Sequence, residues 1–98
     1  MKEIIIDGGK IRSKEELHDT FSEQFGFPDW YGRNLDALHD CLTDIREPVL
    51  IRIENYGDLE KNLPIYGRLL VRVLRHSCAD NAYLSFTADC PDDDEEED

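Results

Sequence analysis

WYGRNLDALHDCL, residues 30–42, changes character at Asn34. Up to that point nothing repeats. From there Leu35, Leu38 and Leu42, with Ile45 just beyond, recur at the spacing of one helical face. Asn34 is a good N-cap, and Asp36 in the first turn suits the positive end of the helix dipole. The spacing predicts a helix over 34–44. Whatever lies on either side of it must bury its leucine face, so the flanking segments decide the fold.

Upstream, residues 26–35 are punctuation, broken by Gly26, Pro28 and Gly32. This loop also holds Phe27, which reads as core, and Trp30 and Tyr31, which read either as packing or as a recognition surface. Before it, Ser13 and Glu16 form a capping box, Leu17, Phe21 and Phe25 follow at four-residue spacing, and Gly26 is a stop, so 14–25 is a second helix. His18 reads as a surface or edge residue. The chain begins with EIIID, 3–7, a strand closed by Gly8 and Gly9.

Downstream, Pro48 precedes VLIRI, 49–53, a near-continuous apolar run that reads as a strand buried on both faces, with Arg52 toward an edge. A short helix over 56–63 ends before Pro64. A longer one covers 65–78, with Ile65, Leu69, Leu70, Val73 and Leu74 as its apolar stripe and Arg68, Arg72 and Arg75 on a flank. Asn81 is a stop, and AYLSFT, 82–87, is the last strand. The order β, α, α, β, α, α, β implies parallel pairing through right-handed crossovers. The expected fold is α/β: a three-stranded parallel sheet packed with about four helices.

The chain has 98 residues, enough for one domain and one core. Its formal charge is −12, of which seven negative charges lie in 92–98, leaving −5 on residues 1–91. The expected organisation is a domain over 1–90 and a disordered, solvated acidic tail over 91–98, with a role in solubility or steering as the alternative reading. Even without the tail the body is acidic. That argues against nucleic-acid binding, which needs clustered Lys and Arg, and permits a basic partner. Cys41, Cys78 and Cys90 form no Cys-x-x-Cys pair, no signal segment opens the chain, and no run reaches transmembrane length. A cytoplasmic protein with free thiols is expected, Cys41 buried beside Leu42 and Cys90 exposed, without membrane contact.

On the predicted helix 34–44, Asp36, Asp40 and Asp44 lie opposite the leucine face. The dipole explains Asp36. It does not explain Asp40 and Asp44, which approach the negative end and form like-charge pairs four apart, each costing about 0.2–0.5 kcal/mol. Arg33, at the start of the same side, is expected to relieve part of this. One reading is a solvated acidic face. Another is that the carboxylates are held for a cationic pocket, with Trp30, Tyr31 and His39 adding contact area. Two chemical readings are weaker. Asp36, His39 and Asp40 have a spacing that can serve a metal, and a paired carboxylate and histidine can do acid–base work. The second needs a cleft, which an exposed helix face does not offer. There is no Gly-rich phosphate loop, Ser–His–Asp pattern or zinc motif, so neither a cofactor nor catalysis is expected.

The string Tyr31-Gly32-x-Asn34-Leu35-Asp36-Ala37-Leu38-x-Asp40-Cys41-Leu42 closely resembles the barstar family of intracellular inhibitors of barnase-type ribonucleases. Ile11-Arg12-Ser13 with Leu17-His18, then Leu42-Thr43, Pro48 and the final helix–strand unit, extend the likeness to about 90 residues. The resemblance implies a three-stranded parallel sheet and a non-catalytic inhibitor, a monomer that forms a 1:1 complex with a basic, extracellular-type ribonuclease. It implies that Asp40 enters the phosphate pocket, that Asp36 joins the same charged contact, that Trp30 corresponds to a tyrosine packed on the catalytic histidine, and that Gly32 and Asn34 shape the loop. The expected partner-binding surface is Trp30, Tyr31, Gly32, Asn34, Asp36, His39, Asp40, Asp44, Ile45 and His76. Four of these neighbourhoods depart from the family pattern. His39 and Ile45 stand where tryptophans are expected, and His76 and Arg33 where glutamates are. The same inhibitory mode aimed at a different ribonuclease is implied, with weak or no binding to barnase. If His39 or His76 enters the interface, affinity varies around neutral pH. Two other classes remain open: a binding module for a basic partner that is not a ribonuclease, and a small enzyme or metal protein.

Overall fold

Caps and breakers set the element boundaries. The structure, a computed structural model, describes residues 2–88. Cys90 and the acidic run after it lie outside the described residues. Strand β1 (Lys2–Asp7) is followed by one 3-10 turn (Gly8–Lys10), then helices α1 (Lys14–Phe25) and α2 (Leu35–Thr43), strand β2 (Val49–Glu54), helices α3 (Tyr56–Asn62) and α4 (Pro64–Asp80), and strand β3 (Leu84–Ala88). The expected order and boundaries hold to within two residues at nearly every end. Ser13 Oγ accepts from the Glu16 N–H at 3.1 Å, while Glu16 Oε1 reaches back one residue further than a capping box, to the Arg12 N–H at 2.7 Å. Gly26 closes α1 with φ of +70°, a conformation that a side chain disfavours.

The sheet has the order β1-β2-β3, with both pairs parallel, and Ile4, Ile51 and Phe86 stand in register across it. Ile4, Ile6, Val49, Ile51, Ile53 and Leu84 are buried under the helices. The expectation that 49–53 is buried on both faces is corrected. Its residues alternate, and Arg52, in the central strand rather than toward an edge, pairs with Glu3 at 2.7 Å on the open face. Ile5, Ser85 and Thr87 share that face. Four helices cover one side of three strands, so the other side is left open, with Ile5 standing among polar residues there.

The stripe of α4 is also corrected. Gly67, Leu70, Val71, Leu74 and Ser77 are buried, whereas Ile65 is 74% and Leu69 37% exposed. Gly67 explains the shift. A Cβ there would sit 3.6 Å from Leu59 Cγ and 3.7 Å from Glu60 Cα, so α4 lies backbone-close against α3 and rolls its buried arc toward it.

Gly8 is the most closely packed of the described glycines. A Cβ there would lie 2.7 Å from the Asn55 carbonyl oxygen and 2.8 Å from Leu59 Cβ. Gly8→Ala is expected to destabilise by about 1–3 kcal/mol through overpacking, read as a lower urea midpoint with unchanged m-value.

Candidate functional site

The site is built from the loop 27–33 and the outer face of α2. Asn34 opens α2 as expected: its Oδ1 accepts from the Ala37 N–H at 2.7 Å and its Nδ2 donates to the Gly32 carbonyl at 3.3 Å. Leu38 and Leu42 are fully buried, Leu35 and Ile45 half-buried, and Asp36, Asp40 and Asp44 exposed. The helix therefore presents the predicted acidic row to solvent. Asp44 is its C-cap, and Arg46 donates to the Thr43 carbonyl at 3.2 Å, so the cation at this end is spent on the helix terminus.

Arg33 does not relieve the row. It stands at φ of +58°, pairs with Asp19 and donates to the Glu15 carbonyl at 3.3 Å, both on α1. The left-handed backbone turns its side chain back from α2. Among the described residues, Asp36, Asp40 and Asp44 make no ion pair.

The loop is held from below. Phe25 and Phe27 stack at 5.3 Å between centroids, Phe27 packs on Tyr31 at 4.8 Å, and the Tyr31 N–H donates to the Pro28 carbonyl at 3.0 Å. Tyr31, grouped with Trp30 as a contact residue, lies beneath the surface with 5% exposure, and Trp30 beside it is 78% exposed. Tyr31 positions the loop; Trp30 is what the loop presents.

The anchor under Tyr31 is His18, which is 1% exposed rather than a surface residue. Its Nδ1 lies 2.6 Å from the Tyr31 hydroxyl and its Nε2 2.7 Å from the Tyr66 hydroxyl. A neutral imidazole donates from one nitrogen and accepts at the other, so two hydroxyls satisfy it fully. Burial holds the His18 pKa below its ordinary value, and the nearby Arg33 charge pushes the same way against Asp19. Burial likewise raises Tyr31 far above the ordinary phenol range, and raises Tyr66. The signal for His18 was in the sequence: it stands three residues before Phe21 and seven before Phe25, on the same helix face.

At the other end of α2, His39 Nε2 meets Asp80 Oδ2 at 3.0 Å, and Asn81 Nδ2 donates to the carbonyls of Leu42 at 3.0 Å and Ile45 at 2.9 Å. The C-terminal ends of α2 and α4 are thus tied together, and His76 sits exposed one turn before Asp80. Asp80 is a neighbour of the site that no local pattern could reveal, because its partner is 41 residues away. Cys41 is half-buried on α2, and burial, then Asp44 and Asp40, raise its pKa. Among the described residues no three His, Cys, Asp or Glu side chains come together as a cation site; His39 is turned to Asp80 instead. No described helix is long and apolar enough to cross a membrane.

The family model described as "Barstar (barnase inhibitor)" matches residues 1–90. A protein of Bacillus subtilis (strain 168) that bears the name "Putative ribonuclease inhibitor YrdF" is 47% identical over 78 residues, which cover 79% of this chain and 86% of that protein.

Proposed function

The chain belongs to the barstar family, and from that premise we propose that it is a non-catalytic inhibitor that closes the basic active site of a barnase-type ribonuclease with α2 and the loop before it. It acts as a cytoplasmic monomer and forms a 1:1 complex. The observation that carries this reading is the row Asp36, Asp40, Asp44, exposed on α2 and without a cation among the described residues.

A carboxylate is an acceptor-only anion, as a phosphate is, and Arg takes either with two parallel hydrogen bonds. Successive members of the row are about 6 Å apart along the helix axis. Their repulsion is retained in the free chain and relieved when arginines and lysines arrive. Arg33, turned to α1, leaves the charge undiminished, and Trp30 at the edge offers a flat apolar ring to pack on the target. Asn34 and Gly32 hold the loop to the helix start. Tyr31 supports it from within. Asp44, Ile45, His39 and His76 form the outer parts of the contact.

The test is capture followed by assay. The protein is immobilised beside an Asp36→Ala/Asp40→Ala column, and extract and medium of its source cells are passed over both. A basic ribonuclease retained only by the unmodified column, released by salt and silenced in solution at one equivalent is the expected result. Retention of the same proteins by both columns, or of a basic partner without RNA-cleaving activity, would show that the acidic row is idle or serves another kind of partner.

A further inference from the structure

We propose that the exposed stripe Ile65, Leu69, Arg72 and His76 on α4 is a second docking surface, continuous with the acidic face of α2. It seats an apolar, anion-edged wall beside the cationic cleft of the same ribonuclease. This rests on the inhibitor reading above and adds what the target must look like outside its cleft.

Four residues at spacings of four, three and four fall within about 60° on a helix, and Asp80 lies just beside them. Leu70, Leu74 and Gly67 occupy the opposite, buried side. Ile65 and Leu69 are therefore not the fringe of the core. They are 74% and 37% exposed, one turn apart, on a face that the roll of α4 toward α3 turned outward. Single exposed aliphatics are ordinary, but these two share one helix face.

The stripe runs beside α2 because α4 packs against α2 and is tied to it directly at one end and to the loop before it at the other. At one end His18 of α1 joins Tyr31 of the loop to Tyr66 of α4. At the other, His39 joins Asp80. The outward faces of α2 and α4 thus form one surface.

Size and charge say what covers it. A specific complex buries about 800 Å² on each partner, contributed by 20–30 residues. The nine residues of α2 make a helix only about 13 Å long, and about half of it faces the core. The loop before α2 adds to this, and the adjoining α4, with 17 residues, is the neighbouring element that can extend the contact further. Charge then restricts the partner. Arg72 makes no ion pair among the described residues, and Arg75 follows it on the same helix, so α4 is cationic where α2 is anionic. The two helices pack against each other, so salt does not fully screen one charge from the other. A uniformly basic protein would be attracted by one half and repelled by the other. The fitting target has a cationic cleft beside an apolar wall edged by a carboxylate.

The full chain and its Ile65→Gln/Leu69→Gln and Arg72→Glu variants would be titrated against the one purified ribonuclease that the unmodified chain inhibits, chosen from a panel of basic microbial ribonucleases that includes barnase. The substitutions are on exposed positions, and equal thermal midpoints check the fold. The double glutamine variant is expected to raise Kd at least fivefold at both low and high salt, through faster dissociation. Arg72→Glu is also expected to weaken binding, although it makes the chain more acidic. A smaller effect of the glutamine pair, tighter binding by Arg72→Glu, or self-association of the free chain that the glutamine pair abolishes would each overturn the second surface. In those cases inhibition that still depends on Asp40 leaves the inhibitor reading standing. Failure to inhibit any ribonuclease in the panel removes both.

Discussion

Asp40→Ala is expected to weaken binding of the target ribonuclease by two orders of magnitude or more while making the free chain slightly more stable. Asp40 sits in the middle of the acidic row, four residues from Asp36 and from Asp44, and is exposed without an ion-pair partner among the described residues. In the free chain it takes part in two like-charge contacts of about 0.2–0.5 kcal/mol each, and alanine is the better helix former. Its removal should therefore raise the unfolding free energy by about 0.5–1 kcal/mol. In the proposed complex the same carboxylate becomes buried against cations. Leaving those cations uncompensated costs about 3–5 kcal/mol, which is about 100- to several-thousand-fold in Kd. Asp36→Ala should weaken binding too, but with the opposite effect on stability, because Asp36 lies in the first turn and the dipole favours it there. Competitive inhibition assays and urea melts on both variants measure the two quantities. A Kd change under fivefold for Asp40→Ala would identify the row as a solvated face and nothing more.

His18 carries the second large effect. His18→Ala should destabilise the chain by about 2–4 kcal/mol, from a buried Tyr31 hydroxyl left without a partner and a cavity between α1 and α4. It should also weaken target binding, since Tyr31 no longer holds the loop that presents Trp30, and the loop must then be ordered on binding. His18→Gln separates the hydrogen bonds from the charge. It can donate and accept but does not titrate, so it should recover part of the stability and remove a pH dependence. The sign follows from the direction of the shift. The folded pKa is below the ordinary value near 6.5, so the unfolded chain takes up the proton first. The contribution is whole above that value and is lost progressively as pH falls from it toward the folded pKa. Asp7, whose carboxyl is held low by the Asn55 amide and the Gly9 N–H, acts in the same direction but only in the carboxylate range, well below. Urea unfolding between pH 5 and 8 should show stability falling with acid in the unmodified chain and a flatter line in His18→Gln. Equal slopes in the two proteins would mean that the imidazole is not held neutral in the fold.

His18 also marks where sequence reading stopped short. Its position on the Leu17–Phe21 face was legible, but its burial was not. A histidine on an apolar helix face is buried only if something polar meets it, and both hydroxyls come from elsewhere in the chain, 13 and 48 residues away. Arg33 shows the same limit. Its place at the start of α2 suggested relief of the acidic row, yet a left-handed backbone angle and a carboxylate on α1 took it elsewhere. The exposed and buried faces of α2 itself were readable, because cap, leucine face and acidic face all follow from one helical period.

By itself the sequence determined the element order, the caps, the parallel three-stranded sheet and the polarity of α2. Each of these depends on period, on breakers, or on side chains within four residues of one another, and connections of helical length leave parallel pairing as the compatible geometry. Only the tertiary structure decided that the sheet is covered on one face, that α4 rolls onto α3 at Gly67 and turns Ile65 and Leu69 outward, and that His18 and Asp80 tie α4 to the loop before α2 and to α2. Those outcomes depend on how closely two elements approach and at what rotation. That is set by packing between residues far apart in the chain, which no local pattern encodes.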